Sequence, residues 1–318
     1  MKTRRLPGTD LDLSLVGFGC WAIGGQYWGD DVNDEDSVAA VRAAVDVGIN
    51  WFDTAPLYGE GHADKVLAGA LGSDKHKLTI ATKVGVRFAE ADGHASSDLS
   101  PAWIREDTEH SLRRLGLDTI DLLQVHWPCD HGHAFDDTIA TLGELRDSGK
   151  IRYFGLCNYG APEIAQVASV PGLVSLQTPY SLLRREFEGS LRAAVTGPDT
   201  LGVLAYEPLC RGLLTGKFTT PPTFPDSDMR SWDERFQGPR FQHATRLISD
   251  LRRVAQKLDV PTAAVSIGWV LAQPGVTAAI VGAKRADQVL QNAQAANLAG
   301  KAKTVSVVDR IASFHGGS

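Results

Sequence analysis

The sequence has little sulfur and no long apolar segment. Its 318 residues include two methionines and four widely spaced cysteines, Cys20, Cys129, Cys157 and Cys210, without a CxxC pair. We therefore expect a reduced protein without a disulfide framework. No apolar run approaches the ~18 residues of a membrane span, and "MKTRRLPGTDLDLS" has no signal-peptide apolar core after its basic residues. These absences predict a cytoplasmic protein that does not use a membrane.

Charge of one sign is also lacking. The 32 basic and 38 acidic residues are mixed along the chain and give a net charge of −6. No basic block indicates nucleic acid, and no acidic tail indicates a disordered arm. Hydrophobic residues make up 43% of the chain, which is enough for a sizeable core. The length fits one large α/β domain or two ordinary ones.

Short apolar runs alternate with amphipathic helical stretches. The runs, typical of strands buried on both faces, lie at 15–19, 50–53, 77–84, 119–126, 151–158, 173–180, 201–208 and 277–283. Helices are predicted near 34–48, 62–71, 101–115, 136–148, 161–169, 187–196 and 286–298. Eight β-then-α units favour a closed (β/α)8 TIM barrel over an open sheet. No linker interrupts the pattern, so we predict one domain over residues 1–318.

Two segments depart from the simple repeat. Residues 3–14 have a Gly-Thr-Asp turn between short alternating runs, which predicts a β-hairpin plugging the bottom of the barrel. The connection between strands 7 and 8 is long, with a Pro-rich stretch followed by predicted helices near 241–258 and 262–272. Long loops in compact domains are usually functional. We therefore interpret the loop 209–240 as a cover for a binding pocket.

Four ionisable side chains lie where strands 2, 3 and 4 end. Asp53 ends strand 2, Tyr58 follows in its loop, Lys83 ends strand 3 and His126 ends strand 4. The carboxyl ends of barrel strands carry the active site. Each residue has an ordinary interpretation, as a turn former, a packing residue or a rim charge. Their occurrence on adjacent strands favours a shared pocket.

The chemistry of these four residues is complementary. A tyrosine has a pKa of about 10, and a neighbouring lysine ammonium lowers it. An aspartate holds the lysine charged, and a histidine orients a carbonyl group or relays a proton. This set predicts a general acid for a carbonyl oxygen. Side chains cannot deliver hydride, so a nicotinamide cofactor is implied.

The motifs around these residues resemble those of the aldo-keto reductase superfamily. They are "GINWFDTAPLYGEG", "LTIATKVG", "DLLQVHWP", "GKIRYFGLCNY" and "YEPLCRGLLTGKF", in that order. The resemblance implies a barrel that binds NADP(H) and reduces an aldehyde, ketone or sugar-like carbonyl by hydride transfer from nicotinamide C4. It also implies Tyr58 as the general acid, Lys83 and Asp53 as the residues that lower its pKa, and His126 as the residue that orients the carbonyl.

The resemblance also assigns the residues that hold the cofactor. Asn158 and Gln177 resemble the carboxamide-binding pair, and Tyr206 resembles the aromatic that stacks on the nicotinamide. Lys284 and Arg285 open the last helix, where helix amides favour an anion, and we assign them to the 2′-phosphate, which favours NADP(H) over NAD(H). The remaining predicted cofactor residues are Gly19, Cys20, Trp21, Asp53, Cys157, Glu207, Pro208, Leu209, Gly212, Leu213, Lys217, Gly282, Gln288 and Asn292.

Two of these positions depart from the family pattern. Cys157 stands where many members have serine, and a thiol is a weaker hydrogen-bond partner than a hydroxyl. Glu207 stands where serine is common. A carboxylate repels a pyrophosphate, so we expect its side chain to point away or only its backbone to be used.

Aromatic residues near the ends of strands 1–4 predict the substrate pocket. Apolar and aromatic walls are typical of small-molecule sites. The predicted pocket residues are Trp21, Tyr27, Trp28, Phe88 and Trp127. Trp51 lies in mid-strand and is interpreted as ordinary packing.

Other functions are less well supported. "GFGCWA" at 17–22 lacks the helix of a dinucleotide fingerprint. The histidines of "HWPCDHGH" have no second ligand pair, so we predict no metal site. A cofactor-binding regulatory subunit with little turnover is the alternative within the same fold, and no obvious exposed apolar helix favours it. A barrel hydrolase needs paired carboxylates, and Lys83 and His126 occupy those strand ends.

Overall fold

The computed structural model, which describes residues 1–88, 95–196 and 200–315, contains a closed barrel of eight parallel strands. The barrel strands are β3 (Val16–Gly19), β4 (Trp51–Asp53), β5 (Thr79–Val84), β8 (Ile120–Val125), β9 (Ile151–Cys157), β10 (Leu173–Pro179), β11 (Gly202–Tyr206) and β12 (Val276–Gly282). The last strand pairs with the first, with Ala279 opposite Val16, and this pairing closes the barrel. The predicted fold is confirmed.

Helices follow the barrel strands. They are α1 (Asp34–Asp46), α2 (His62–Leu71), α3 (Pro101–Leu115), α4 (Phe135–Asp147), α5 (Ala161–Val167), α6 (Ser190–Val195), α7 (Gly238–Leu258), α8 (Thr262–Leu271), α9 (Ala286–Ala293) and α10 (Ala302–His315). The ends of α3 show how local sequence sets these bounds. The Ser100 side chain accepts from the Trp103 amide, Pro101 takes the first helical position, and Gly116 ends the helix in the left-handed region.

The N-terminal hairpin fills the amino-terminal end of the barrel. Strand β1 (Thr3–Arg5) pairs antiparallel with β2 (Asp12–Ser14). Its Leu6, Leu11 and Leu13 join a buried cluster with side chains of the barrel strands, among them the fully buried Trp51. The indole of Trp51 donates to the Ser14 carbonyl at 2.8 Å. The hairpin prediction is therefore confirmed, and Trp51 is a packing residue.

The connection between β11 and β12 contains the two predicted helices, α7 and α8. Short 3-10 turns at Leu213–Thr215, Met229–Trp232 and Glu234–Phe236 precede them. Among the described residues, none of the helices is long and apolar enough to cross a membrane.

Two elements were not anticipated from the sequence. A small hairpin pairs β6 (Val86–Arg87) with β7 (Ser96–Ser97) just after β5. Helix α10 packs against α7 and buries Val308 and Ala312. The spacing of Val305, Val308, Ile311 and Ala312 is the helical signal that identifies α10.

Candidate active site

The four predicted catalytic side chains lie together at the carboxyl end of the barrel. Asp53 ends β4, Lys83 lies one residue before the end of β5, and His126 directly follows β8. Tyr58 lies in the loop after β4. Because these strands are parallel neighbours, their ends place the side chains on one rim.

The ammonium of Lys83 has one acceptor for each of its three protons. It donates to Asp53 Oδ2 at 2.6 Å, to the Thr54 carbonyl at 3.0 Å and to the Tyr58 hydroxyl at 3.1 Å. The Lys83 and Asp53 side chains are 1% and 3% exposed. A buried charge pair needs such complete hydrogen bonding to offset its desolvation. The arrangement fixes the lysine charge beside the phenol.

The electrostatics of this group correct one expectation. Burial raises the pKa of Tyr58, and the positive charge of Lys83 opposes that increase without overcoming it. Burial alone would lower the pKa of Lys83, but its acidic neighbours, led by the Asp53 carboxylate, raise it above its usual value. The expectation that Lys83 and Asp53 lower the pKa of Tyr58 holds for Lys83 and is wrong for Asp53, whose charge raises this pKa. Desolvation is the largest effect, so the net direction is upward. Tyr58 remains a protonated phenol beside a permanent ammonium.

His126 is a neutral imidazole facing this pair. Burial and then the charge of Lys83 lower the pKa of His126 well below its usual range. Its ring lies edge-on to Tyr58, with ring centroids 6.1 Å apart, and stacks on Trp127 at 3.8 Å. Its buried Nδ1 has no hydrogen-bond partner among the described residues. The imidazole therefore adds polarity to the pocket without adding charge.

Glycines let the Tyr58 loop approach the first barrel loop. Gly59, Glu60 and Gly61 all have positive φ, so the chain turns sharply after Tyr58. A Cβ at Gly24 would lie 2.9 Å from the Tyr58 carbonyl carbon, and one at Gly59 would lie 2.3 Å from the Gly24 oxygen. The two backbones are thus in contact at positions where a side chain does not fit.

A cavity of about 660 Å³ opens over the predicted catalytic residues and extends towards α9. Predicted residues that line it are Gly19, Trp21, Trp28, Asp53, Tyr58, His126, Trp127, Cys157, Asn158, Gln177, Tyr206, Glu207, Pro208, Leu209, Gly212, Lys217, Gly282, Lys284, Arg285, Gln288 and Asn292. The volume lies within the range of small-molecule and cofactor sites.

Five predicted residues lie outside the lining of this cavity. Lys83 is buried and reaches the site through Tyr58. Cys20 and Leu213 are completely buried, while Tyr27 and Phe88 are 41% and 40% exposed. Tyr27 instead contacts Trp232, with ring centroids 6.1 Å apart. In the structure, Tyr27 and Phe88 are therefore exposed at the surface and do not form the wall of the cavity.

The observed aromatic wall is formed by three tryptophans. Trp21 stacks near Tyr58 with ring centroids 6.1 Å apart and contacts Trp28 edge-on at 5.4 Å. Trp127 lies on the other side, against His126. The phenol therefore faces a space with apolar and aromatic boundaries.

The proposed carboxamide-binding residues have partners within the protein. Gln177 donates to Asp53 Oδ1 at 2.8 Å. Asn158 donates to the His126 carbonyl at 3.0 Å and accepts from the Tyr206 hydroxyl at 2.7 Å. Burial raises the pKa of the adjacent Cys157 thiol to about 12, so this residue is a neutral thiol. These contacts hold the strand ends of β9, β10 and β11 in one network.

The segment after β11 has an unusual backbone. Glu207, Cys210, Arg211 and Gly212 all have positive φ. Such clusters of strained residues occur at ligand sites. Arg211 Nε donates to Glu207 Oε1 at 3.0 Å, so the carboxylate that departs from the family pattern is paired with a positive charge. The pairing with Arg211 reduces the repulsion that we expected between the Glu207 carboxylate and a bound anion.

The far end of the cavity is rich in cations. Burial, followed by the charges of Arg230, Lys284 and Arg285, lowers the pKa of Lys217. Lys217 has no ion-pair partner within the described ranges, and its ammonium lies 4.8 Å from the Phe218 ring centroid. Several converging positive charges favour an anion at this end.

Lys284 and Arg285 have partners that the sequence did not predict. The Lys284 ammonium donates to Asp31 Oδ1 and to the Trp28 carbonyl, both at 2.6 Å. Arg285 donates to Asp287 Oδ1 at 3.0 Å. The lining of the cavity includes both cations and both of their acidic partners, Asp31 and Asp287.

Contacts also join the first loop to the long β11–β12 connection at the cavity edge. Met229 N donates to the Tyr27 carbonyl at 3.0 Å, and Trp28 forms an isolated bridge with Asp228. The Arg230 guanidinium carbon lies 5.6 Å from the Trp28 ring centroid. The connection therefore contributes to the wall of the cavity, as its length suggested.

Several lining residues escaped the sequence interpretation. They include Asp31, Leu57, Arg184, Arg211 and Gln291. Arg184 and Arg211 lie in the loops after β10 and β11. The rule that barrel active sites form at the carboxyl ends of the strands, which selected Asp53 and His126, therefore also selects these two arginines. Asp31 carries no such signal because it lies well beyond its strand end.

The histidines of the 126–133 segment have separate roles. His131 bonds to Ser96 Oγ at 3.1 Å, and His133 pairs with Asp98 at 3.4 Å. Both contacts tie this segment to the β6–β7 hairpin region. Within the ranges that the structure describes, no group of three or more candidate ligands could hold a metal ion.

A barrel whose carboxyl rim holds a buried Asp–Lys–Tyr group beside a neutral histidine is the arrangement of a barrel oxidoreductase. The model of the aldo/keto reductase family matches residues 15–313, and the chain belongs to this family. The resemblance seen in the sequence motifs is thereby confirmed. The protein is an oxidoreductase of a family that uses nicotinamide cofactors and acts on small molecules.

Relatives and solved structures agree with this assignment. The chain is 35% identical over 292 residues to the aldo-keto reductase YhdN of Bacillus subtilis, covering 91% of this chain and 87% of that protein. It is 30% identical over 310 residues to the NADH-specific methylglyoxal reductase of Escherichia coli, covering 94% of each. The glycerol dehydrogenase AKR11B4 of Gluconobacter oxydans superposes with a TM-score of 0.89 at 37% identity, covering 99% and 96% of the two chains.

Proposed function

We propose that the protein is an NADP(H)-dependent reductase that converts an aldehyde, ketone or sugar-like carbonyl to an alcohol, with Tyr58 as the general acid. One observation carries this proposal. The Tyr58 hydroxyl lies 3.1 Å from the buried Lys83 ammonium, which is itself paired with Asp53. A phenol held beside a fixed cation at a cavity wall is suited to donate a proton and to remain as a stabilised phenolate.

The residues around the cavity fit a nicotinamide dinucleotide. The proposed set includes Asn158, Gln177 and Tyr206 for the nicotinamide end and the backbone of 208–212 for the pyrophosphate. The positive-φ segment and the converging cations favour phosphate groups. When bound, such a cofactor supplies hydride from its nicotinamide ring.

The protein's own part in the reaction concerns one proton. Burial keeps Tyr58 protonated, so it donates its proton to the carbonyl oxygen as that oxygen becomes an alkoxide. Lys83 stabilises the resulting phenolate, and Asp53 keeps Lys83 charged. His126 remains neutral and orients the carbonyl by hydrogen bonding. The three tryptophans give this exchange aromatic, apolar surroundings.

The proposed preference for NADP(H) rests on the cations at the far end. Lys217 lacks an ion-pair partner among the described residues, and Arg285 is half exposed at the start of α9. A 2′-phosphate bound there would gain charge-assisted hydrogen bonds. Family membership does not choose the cofactor, because the methylglyoxal reductase of E. coli is NADH-specific by name.

The test follows NADPH absorbance with a panel of aldehydes, ketones and aldoses. We expect the wild type to oxidise NADPH with at least one carbonyl class. Tyr58→Phe should lose roughly 100-fold or more in kcat, as expected for a general acid, with NADPH binding retained. If no carbonyl is reduced although NADPH binds, the regulatory alternative is favoured. A Tyr58→Phe variant as fast as the wild type would exclude Tyr58 as the acid.

A further inference from the structure

The orientation of Lys83 depends on a backbone carbonyl as well as on Asp53 and Tyr58. That carbonyl belongs to Thr54, which directly follows Asp53 at the end of β4, and it accepts from Lys83 Nζ at 3.0 Å. The Thr54 amide donates to the Ala81 carbonyl at 2.9 Å. Thr54 is completely buried. Its peptide is therefore one of three anchors that fix the ammonium.

The side chain of Thr54 is held from outside the barrel. Its hydroxyl donates to Asp64 Oδ1 at 2.7 Å, and Asp64 lies in the first turn of α2 with no solvent exposure. The other oxygen of that carboxylate accepts from Arg114 Nε of α3 at 2.9 Å. Both carboxylate oxygens thus have a directed partner. Two helices and a strand end meet at this one ion pair, whose carboxylate is completely buried.

The path of Arg114 to Asp64 is itself built into the fold. A Cβ at Gly61 would lie 2.6 Å from Arg114 Cδ, and Gly61 has φ of 83°. The guanidinium is further held by a hydrogen bond to Ser111 Oγ at 3.0 Å. A glycine in the left-handed region therefore leaves the space through which the arginine reaches the carboxylate.

We propose that Thr54 and Asp64 are positioning residues, which hold the Thr54 carbonyl so that the Lys83 ammonium stays between Asp53 and Tyr58. This proposal rests on the proposed function of Tyr58. A hydrogen bond to an ionised carboxylate is stronger and more directional than a neutral one. If the hydroxyl is lost, the peptide gains freedom to rotate, and Lys83 loses one of its three fixed acceptors. The phenolate that forms during proton donation then has a less well placed cation.

The experiment compares Thr54→Val, which replaces the hydroxyl by a methyl group of similar size, with Thr54→Ser, which keeps the hydroxyl and loses the methyl group. Thr54→Ser should keep kcat within about threefold of the wild type, and Thr54→Val should lower it about tenfold or more, since small misplacements at a reacting centre have large effects. KM for the carbonyl and the Kd for NADPH should change little. The high-pH limb of the kcat profile should move to higher pH in Thr54→Val, because a displaced Lys83 lowers the Tyr58 pKa less.

Two further variants separate positioning from stability. Thr141→Val removes a buried threonine hydroxyl from α4, where it donates to the Asp137 carbonyl, and should leave kcat unchanged. Asp64→Asn keeps an acceptor for Thr54 without the charge and should give an intermediate kcat. Circular dichroism and NADPH binding show whether Thr54→Val folds. If it does not fold, Asp64→Asn still tests the proposal.

The outcomes are distinct for the two proposals. If the wild type reduces carbonyls and folded Thr54→Val keeps the kcat and pH profile of Thr54→Ser, the positioning proposal is overturned. If Asp64→Asn equals the wild type in both readouts, the role of its charge is overturned. If the wild type itself reduces no carbonyl, the proposed function fails instead.

Discussion

Lys83 and Asp53 form a hydrogen-bonded ion pair of 2.6 Å whose members are almost completely removed from solvent. Gln177 donates to the second oxygen of Asp53 at 2.8 Å. The pair therefore has a structural as well as a chemical role, because either partner alone would be a buried unpaired charge.

Removing only the lysine should therefore be costly. We expect Lys83→Met to lower the free energy of unfolding by about 3–5 kcal/mol and to abolish carbonyl reduction. The double variant Lys83→Met/Asp53→Asn should regain part of that stability, because no buried charge remains, while staying inactive. Urea unfolding at neutral pH measures the stability of both variants. A double variant less stable than Lys83→Met would contradict this account of the pair.

Stability should fall with rising pH because of Asp107. This residue of α3 accepts from the Gly85 amide at 3.1 Å, and burial raises its pKa to about 7. A carboxyl whose folded-state pKa exceeds the unfolded value binds its proton more tightly when folded. It therefore destabilises the fold as pH rises from about 4 through 7.

Asp107→Asn should remove this pH dependence. Between pH 5 and pH 8, the stability of the variant relative to the wild type should increase by about 2–3 kcal/mol. Urea unfolding at the two pH values gives the difference directly. A constant difference would show that Asp107 titrates alike in the folded and unfolded states.

The contact between Gly24 and Tyr58 predicts a sharp effect of one methyl group. Gly24→Ala places a Cβ 2.9 Å from the Tyr58 carbonyl carbon. It should lower stability by about 1–3 kcal/mol through overpacking and reduce kcat by moving the phenol. The control is Gly69→Ala, an exposed position of α2 with no atom near the new Cβ. It should be neutral or stabilising by up to about 1 kcal/mol. Equal effects of the two substitutions would argue against the contact.

The cations at the far end should differ in their effect on the two cofactors. Arg285→Ala should weaken NADPH binding roughly tenfold, or about 1.4 kcal/mol, with little change for NADH. Lys284→Ala should weaken both, because Lys284 also holds Asp31 and the Trp28 carbonyl. Fluorescence titration gives the dissociation constants of NADPH and NADH for each variant. Equal weakening of NADPH and NADH in Arg285→Ala would overturn its assignment to the 2′-phosphate.

The sequence predicts the fold well because strand and helix alternate regularly along the barrel. Strands buried on both faces appear as continuous apolar runs, and helix ends carry local signals such as Ser100 and Pro101. Helices α2 and α3 have the predicted bounds, His62–Leu71 and Pro101–Leu115. The hairpin after β5 was missed because its strands have only two residues each.

The proximity of Asp53, Tyr58, Lys83 and His126 was also predictable, because strand ends converge by topology. What the sequence could not supply is the pairing of side chains that lie far apart in the chain. Lys284 and Asp31 are 253 positions apart, and no local pattern joins them. The net pKa direction at Tyr58 was missed for a similar reason, since burial is a property of the packed structure.

The closure of the barrel by β12 and β3 has a consequence for folding. The pairing joins segments near opposite ends of the chain, and Arg4 donates to the Leu271 carbonyl, 267 positions away. Contacts of such long sequence separation form late and slowly. During synthesis, the barrel cannot close until β12 has left the ribosome. Until then β3 lacks its partner β12 and keeps an unpaired edge, at which the nascent chain is exposed to aggregation.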